Sequence, residues 1–266
     1  MMSVNINQLK DIVLTAAQAE LQPRFAHVEC HHKADGSIVT EADVVMQERI
    51  ARALEKQWPD VMFLGEEMTA DQQAEVLSHA DSAWCLDPVD GTSNFAAGIP
   101  YFSVSLALLE QGQVTAGIVY DPLRDECFSA LRGRGAALNG QPLVSTETGL
   151  HLNQSIGLID FKRLPNELSI RLITETPYAS QRSFGSVALD LCWIAAGRCH
   201  LYLHGRHNLW DYAAGHLILK EAGGHATTLF GEPITGNSLR PRSTVAALDQ
   251  HLFEEWTDWL GVQPDS

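Results

Sequence analysis

Residues 83–94 read Ala83-Trp-Cys-Leu-Asp87-Pro-Val-Asp90-Gly-Thr-Ser-Asn94. An apolar run suited to a buried strand leads directly into two aspartates separated by Pro88 and Val89. Proline fixes φ and removes a donor, so the step between the aspartates is stiff. It can aim both carboxylates, together with a main-chain carbonyl such as that of Val89, at one point. Gly91 lets the backbone come close to a ligand. If Thr92-Ser93-Asn94 opens a helical turn, the N–H groups of Gly91 and Thr92 face an anion, and the Thr92 hydroxyl can hold a water. An Asp-rich surface turn with no ligand fits the same residues, so the other acidic positions have to decide.

Those positions repeat the pattern. Glu66 and Glu67 follow the apolar Val61-Met-Phe-Leu64 and Gly65, and Asp211 follows Trp210 at the start of an Ala/Gly-rich helical stretch. Taken singly, each has a plainer reading: Glu66-Glu67 as a solvated loop, Asp211 as a helix N-cap, Asp43 as the partner of Thr40 in a capping box. Taken together they point to convergence, because strand ends are rigid places where side chains distant in sequence can meet. Carboxylate oxygens are what a hard cation such as Mg²⁺ prefers, and several packed together repel unless cations lie between them. The sequence therefore predicts a metal cluster.

Around these sites the chain reads as mixed α and β. Ile6, Leu9, Val13, Ala16 and Ala17 recur at helical spacing in a first helix over 6–25, with Pro23 near its end. An Asp-Gly turn at Lys33–Ser37 and a short strand Ile38-Val39 precede a helix from Thr40 to about Gln57, which Trp58-Pro59 breaks. Strands are expected over 61–64 and 83–86, with a polar helix or loop at 68–80 between them. Residues 101–109, 113–121 and 125–131 form an antiparallel meander, and Gly133, Gly135 and Asn139-Gly140 mark turns. The second half holds a strand at 155–159, a helix at 165–174, a polar connector at 175–183, a helix at 185–197 and a strand at 199–204. Helices at 211–222, closed by Gly223-Gly224, and at 250–260 complete it. No repeat, low-complexity tract or linker separates the halves, about 1–148 and 149–266, which are expected to pack as one unit with the active site between them.

Composition excludes several functions. The 266 residues carry 18 Lys+Arg against 33 Asp+Glu, a net charge of −15, with 45% apolar and 19% charged residues. That is globular rather than disordered, and the lack of basic clusters argues against a nucleic-acid substrate. A phosphate substrate stays open, because bound cations invert the local field. The 5 cysteines (Cys30, Cys85, Cys127, Cys192, Cys199) include no CxxC pair and read as reduced core thiols. With no basic, apolar leader and no membrane-length apolar run, a soluble cytoplasmic protein is expected. The 11 histidines, His31-His32 and His204/His207 among them, read as surface or core polar groups, and no Gly-x-Ser-x-Gly elbow suggests a side-chain nucleophile.

The ordered blocks Gly65-Glu66-Glu67, Asp87–Asn94 and Trp210-Asp211-Tyr-Ala-Ala-Gly215 resemble the inositol monophosphatase family of Mg²⁺-dependent, lithium-sensitive phosphatases. The resemblance extends to Asp35–Asp43, Gly117–Pro122, Gly133–Gly140 and Glu221–Gly224, and so covers nearly the whole chain. It implies an α+β, five-layered αβαβα sandwich, commonly a homodimer. It also implies hydrolysis of a small phosphomonoester by water activated with two or three Mg²⁺ ions. By the same resemblance the metal ligands are Glu66, Asp87, the Val89 carbonyl, Asp90 and Asp211. Glu66 and Thr92 orient the water, Asp43 supports Thr92, and Gly91 and Thr92 hold the phosphate through their N–H groups. Lys33 matches a lysine near the outer metal. On the substrate side stand Asp90, Asp211 and the loop containing Gly185 and Ser186, where Val187 replaces a frequent alanine. His204 occupies the place of a glutamate that binds ring hydroxyls in inositol-specific members, which places it in the leaving-group pocket. The substrate is then inositol 1-phosphate or a related polyol phosphate, with histidinol phosphate, fructose 1,6-bisphosphate, a nucleotide 3′-phosphate or NADP as alternatives. A binding or regulatory protein that keeps the fold without turnover is the alternative of another class; the intact acidic set argues against it.

Overall fold

A computed structural model of the protein describes residues 4–32 and 38–263. The helices are α1 (Ile6–Glu20), α2 (Glu41–Gln57), α3 (Ala70–His79), α4 (Thr92–Ala97), α5 (Asn166–Glu175), α6 (Val187–Ala195), α7 (Leu209–Ala222) and α8 (Gln250–Leu260). A hairpin of β1 (Cys30–His32) and β2 (Ile38–Thr40) enters α2. The first large sheet follows the chain in order: β3 (Met62–Gly65), β4 (Ser82–Asp90), β5 (Ser103–Glu110), β6 (Gln113–Asp121), β7 (Glu126–Leu131), β8 (Ala136–Leu138) and β9 (Gln141–Leu143). β3 and β4 are parallel and the other neighbours antiparallel. The second sheet contains β10 (Ile156–Asp160), β11 (Ser180–Arg182), β12 (Leu201–His207), β13 (His225–Thr227) and β14 (Arg242–Ala247) in the order β11-β10-β12-β14-β13.

Alternation along the strands explains the layering, because successive side chains point to opposite faces. Trp84, Leu86, Leu106 and Leu108 pack with Leu9, Val13, Met46 and Ile50 of α1 and α2. Their neighbours Ala83, Cys85, Ala107 and Leu109 pack on the other face with Leu189, Ile194, Leu217 and Ile218 of α6 and α7. Tyr202 and Ala246 of the second sheet join that same middle core. Leu201, Leu203, Val245 and Ala247 turn the other way, onto Leu172 of α5 and Leu252, Phe253 and Trp256 of α8. Three cores separated by two sheets make five layers, αβαβα. Both sheets are covered on both faces, so their strands read as continuous apolar runs.

The expected strand ending at Leu86 instead continues through Asp90, with a register irregularity between Asp87 and Asp90. Pro88 is tolerated inside a paired strand because the ladder is broken there. Several other boundaries also differ. The first helix ends at Glu20 rather than near Pro23, and the polar connector at 175–183 contains β11, parallel to β10. β12 runs on to His207 across another irregularity. β13 and β14 were not anticipated from the sequence pattern. The expected turn at Lys33–Ser37 lies outside the described residues. Cys85, Cys127, Cys192 and Cys199 are buried free thiols. Among the described residues, no helix is long and apolar enough to cross a membrane.

Candidate active site

Strand pairing sets the acidic residues beside one another. β3 and β4 are in register at Gly65 and Leu86, so Glu66, just past the end of β3, lies beside Asp87 of β4, and the Glu66 N–H donates to the Leu86 carbonyl at 3.1 Å. Gln47 of α2 accepts from the Glu67 N–H at 3.0 Å, and Gln73 of α3 donates to the Gly65 carbonyl at 2.9 Å. Glycine at 65 preserves that arrangement, because a Cβ there would run into the Gln47 side chain that receives the Glu67 N–H. Asp87 is opposite Ser105 on β5, and the Ser105 hydroxyl donates to the Trp210 carbonyl at 3.1 Å. This bond seats the first turn of α7 on the sheet and holds Asp211 at the end of β4. Asp211 accepts from the Asn208 N–H at 2.7 Å, capping its own helix.

Asp90 joins the two halves of the chain. Its Oδ2 accepts from the Ser186 hydroxyl at 2.6 Å and the Ala188 N–H at 2.7 Å, and its Oδ1 from the Val187 N–H at 3.2 Å. Ser103, opposite Asp90 on β5, places its hydroxyl 3.2 Å from that of Ser186. Asp90 therefore caps α6 from outside, satisfying N–H groups that the N-cap Ser186 leaves unbonded. Asn94 reinforces the junction by donating to the carbonyls of Tyr101 and Phe184, each at 2.7 Å. Gly91 has φ +94°, and a Cβ there would meet the carbonyls of Gly185 and Tyr101 at 3.2 Å, so the Gly185 loop lies directly against the start of α4.

Asp43 is fully buried and has two tasks. Oδ2 accepts from the Thr40 N–H at 2.8 Å and the Thr40 hydroxyl at 2.6 Å, completing the predicted capping box. Oδ1 lies 3.1 Å from the Thr92 hydroxyl, which also lies 2.9 Å from the Val89 carbonyl. A hydroxyl has one hydrogen and two lone pairs. Thr92 therefore donates to one of these acceptors and keeps a lone pair for another donor.

Burial first, then the charges of Glu66, Asp90, Asp211 and Asp43, push the Asp87 carboxyl well above the usual range. Asp211 is pushed the same way by burial and by Glu66 and Asp90, opposed by the Asn208 N–H and the Arg163 charge. Burial raises Asp43 to about 6, with the two Thr40 hydrogen bonds opposing and Glu66 and Glu67 adding to it. Asp90 rises to about 6 through burial, against the donors Ser186, Ala188, Val187 and Ser103. Such mutual elevation is what cations would relieve. The donors are carboxylate and carbonyl oxygens, suited to a hard divalent ion. Burial and the charges of Asp211 and Asp87 raise the nearby Cys85 thiol, so it offers no thiolate.

On the substrate side, Ser186 is buried with its hydroxyl on Asp90. His204 is also buried, and both its ring nitrogens have protein partners. Nδ1 accepts from the Arg206 N–H at 3.2 Å, which leaves the hydrogen on Nε2, 2.9 Å from Asp160 Oδ2. Asp160 is the register partner of His204 on β10. Its side chain, 29% exposed against 9% for His204, is the more open of the pair. His204 stacks on His207, with ring centroids 4.9 Å apart, and His207 on Tyr212, also at 4.9 Å, next to Asp211. Lys33 lies outside the described residues. Sequence reasoning missed Ser103, Ser105 and Asp160. Two serines alternating within the apolar strand Ser103-Val-Ser105-Leu-Ala were a visible signal, since buried hydroxyls need partners.

The sequence profile of the inositol monophosphatase family matches residues 2–257, and the chain belongs to that family, a family of phosphoric monoester hydrolases. It is 39% identical over 236 residues to inositol monophosphatase 1 of Solanum lycopersicum, covering 86% of this chain and 84% of that one. It is 34% identical over 261 residues to the Nus factor SuhB of Haemophilus influenzae, covering 94% of each. Among solved structures, SaIMPase-II with inositol monophosphate bound superimposes with a TM-score of 0.78 at 28% identity, over 96% of this chain and 93% of that one. The same protein with 2′-AMP bound gives 0.80 at 28%, over 95% and 91%.

Proposed function

We propose that the protein hydrolyses a small phosphomonoester, inositol 1-phosphate or a related polyol phosphate, with Mg²⁺ held by Glu66, Asp87, the Val89 carbonyl, Asp90 and Asp211. The observation that carries this reading is that the carboxylates of Glu66, Asp87, Asp90 and Asp211 face one another, with Asp43 beside them bonded to the Thr92 hydroxyl. Two or three bound ions would polarise the phosphate, acidify a water and stabilise the leaving alkoxide. The chain's own groups do the positioning. Thr92 donates its hydrogen within the protein and offers its lone pair to the attacking water, with Glu66 as second orienting group. The N–H groups of Gly91 and Thr92, at the start of α4, receive phosphate oxygens, and Gly91 leaves room for them by lacking a Cβ. The reading places the site between subdomains of about 1–148 and 149–266. It makes the protein a lithium-sensitive, cytoplasmic homodimer without nucleic-acid or membrane substrates.

For the leaving group, Asp160 takes over the role expected of a carboxylate on β12. Burial opposes its ionisation, but the His204 hydrogen bond, with the Lys162 N–H and the Arg163 charge, holds its carboxyl below the ordinary value. Asp160 is thus an ionised acceptor for substrate hydroxyls, and His204 orients it. Asp160→Asn is expected to raise KM for inositol 1-phosphate about tenfold, roughly the 1.4 kcal/mol of one charged hydrogen bond, with kcat changed less. An unchanged KM removes Asp160 from the pocket.

The experiment is phosphate release by EDTA-treated protein, with and without added Mg²⁺. The panel holds inositol 1-phosphate, histidinol phosphate, fructose 1,6-bisphosphate, a nucleotide 3′-phosphate, 2′-AMP and NADP. Turnover is expected to vanish on metal removal and return with Mg²⁺, fastest on a polyol phosphate. Full activity after EDTA would overturn the metal assignment. The relatives named as Nus factors support a second reading, a binding protein that retains the fold, and silence toward every panel member with Mg²⁺ present would favour it.

A further inference from the structure

His151, His251 and Glu255 meet on the outer face of the second sheet's helical layer, away from the acidic cluster. His151 Nδ1 is 2.7 Å from Glu255 Oε1, and His251 Nε2 is 3.3 Å from the same oxygen. The three donor atoms lie within 4.8 Å of one another, and the two rings stand edge to face with centroids 5.2 Å apart. We propose that these residues form a second metal site, for a Zn²⁺-class divalent ion, that fastens the segment between the two sheets to α8. The proposal is independent of the phosphatase reading.

Three features favour an ion over a fortuitous polar cluster. His251 and Glu255 are four residues apart on α8, so the helix holds them on one face. Glu255 is preoriented: its Oε2 accepts from the Leu152 N–H at 3.0 Å, which leaves Oε1 turned to both imidazoles. The segment bearing His151 is anchored as well, since Thr148 donates through its N–H and hydroxyl to Asp249, at 3.0 and 2.9 Å, and Gln154 accepts from the His151 N–H at 3.0 Å. Donors around tetrahedral Zn²⁺ lie about 3.3 Å apart, given bond lengths of about 2.0–2.1 Å. Reaching that spacing needs only small rotations of two exposed imidazoles. Two histidines and a carboxylate select zinc, nickel or copper over magnesium, and they leave a fourth position for water. Glu255 would bind through Oε1 alone, its other oxygen staying on Leu152.

The test is calorimetric titration of Zn²⁺ into the full-length protein in saturating Mg²⁺, which occupies the oxygen-rich cluster. Wild type is expected to bind one equivalent at this site, and His151→Ala, His251→Ala and Glu255→Gln each to bind at least tenfold more weakly. Co²⁺ gives a second readout: visible absorption of a four- or five-coordinate ion should appear in wild type and disappear in the histidine variants. Far-UV circular dichroism and thermal melts without Zn²⁺, unchanged in these variants, show that they fold. Zn²⁺ isotherms and Co²⁺ spectra that are the same in wild type and all three variants would overturn the proposal. So would absence of binding, or binding that survives His251→Ala but is lost in Asp87→Asn.

Discussion

Stripped of metal at neutral pH, Asp87→Asn is expected to melt at a higher temperature than wild type and to turn over at least about 10³-fold more slowly when Mg²⁺ is restored. Asp90→Asn should lose activity to the same degree but gain little or no heat stability. The two carboxylates differ in what they hold. Asp87 accepts one hydrogen bond, from the Val89 N–H at 3.0 Å, and otherwise faces Glu66, Asp90, Asp211 and Asp43. An amide there keeps that acceptor and removes a repelled, buried charge. Asp90 instead receives Ser186, Val187 and Ala188. Asparagine can turn its oxygen to the Ser186–Ala188 pair only by pointing its NH₂ at the Val187 N–H. That leaves a buried donor unsatisfied, at about 1–3 kcal/mol, and offsets the relief of charge. Equal stabilisation by both substitutions would contradict this account.

The same electrostatics set a pH dependence with a definite sign. Asp43 and Asp90, near 3.8 when unfolded, rise to about 6 in the metal-free fold, so the folded state binds protons the unfolded state has lost. The stability this confers is present in full below pH 3.8 and is lost as pH rises through about 6. Every tenfold difference in proton affinity between the two states corresponds to about 1.4 kcal/mol, so the loss is on the order of a few kcal/mol. Asp87 is raised in the same direction, by burial and then by its acidic neighbours, and only wild type carries that loss, so the advantage of Asp87→Asn should widen between about pH 4 and pH 7 without metal and shrink with Mg²⁺, as thermal melts across pH can show.

Thr92→Ala is expected to lower kcat about 10²-fold with KM changed less than about threefold, because the lost hydroxyl orients a water that matters most in the transition state. Asp43→Asn separates that role from helix capping. The new amide's oxygen can still receive both Thr40 donors, so the cap survives and removal of a buried charge keeps or raises Tm. Its NH₂ then faces Thr92, which becomes the acceptor and must send its hydrogen to the Val89 carbonyl. Thr92 then loses its choice of acceptor, its hydroxyl is turned about the Cβ–Oγ bond and the lone pair that remains is aimed differently, so kcat falls about tenfold. A purely capping Asp43 would leave kcat unchanged in this variant, while Asp43→Ala would cost about 1 kcal/mol of stability.

What the sequence made legible was periodic or punctuated. The meander of β5–β7, the opening helix and the Thr40–Asp43 box carry their signals within a few residues. The acidic positions were legible because each follows an apolar run. The second sheet's edges were not. β11 and β13 are three-residue strands whose pairing depends on neighbours far along the chain, and β14 follows a polar, Pro- and Gly-containing stretch that gives no turn signature. The same limit applies to side chains: spacing could place His204 on its strand but not reveal that Asp160, on a parallel neighbour, would engage its Nε2. Nor could the DPVD step be read as a broken continuation of β4, since the irregularity depends on its pairing with β5.

The three bonds by which Asp90 closes the start of α6 make the junction between halves a standard fitting. Two of the three donors are backbone N–H groups, which any residue but proline supplies. At this seam, a second half taken from a relative needs only a hydroxyl at position 186 and no proline at 187 or 188. Beyond that seam, Asp211 and the faces of α6 and α7 that pack on the first sheet have to be kept, while the wall that carries Asp160 and His204 is free to diverge. Substrate choice can drift by recombination or point substitution while the hydrolytic centre is inherited intact.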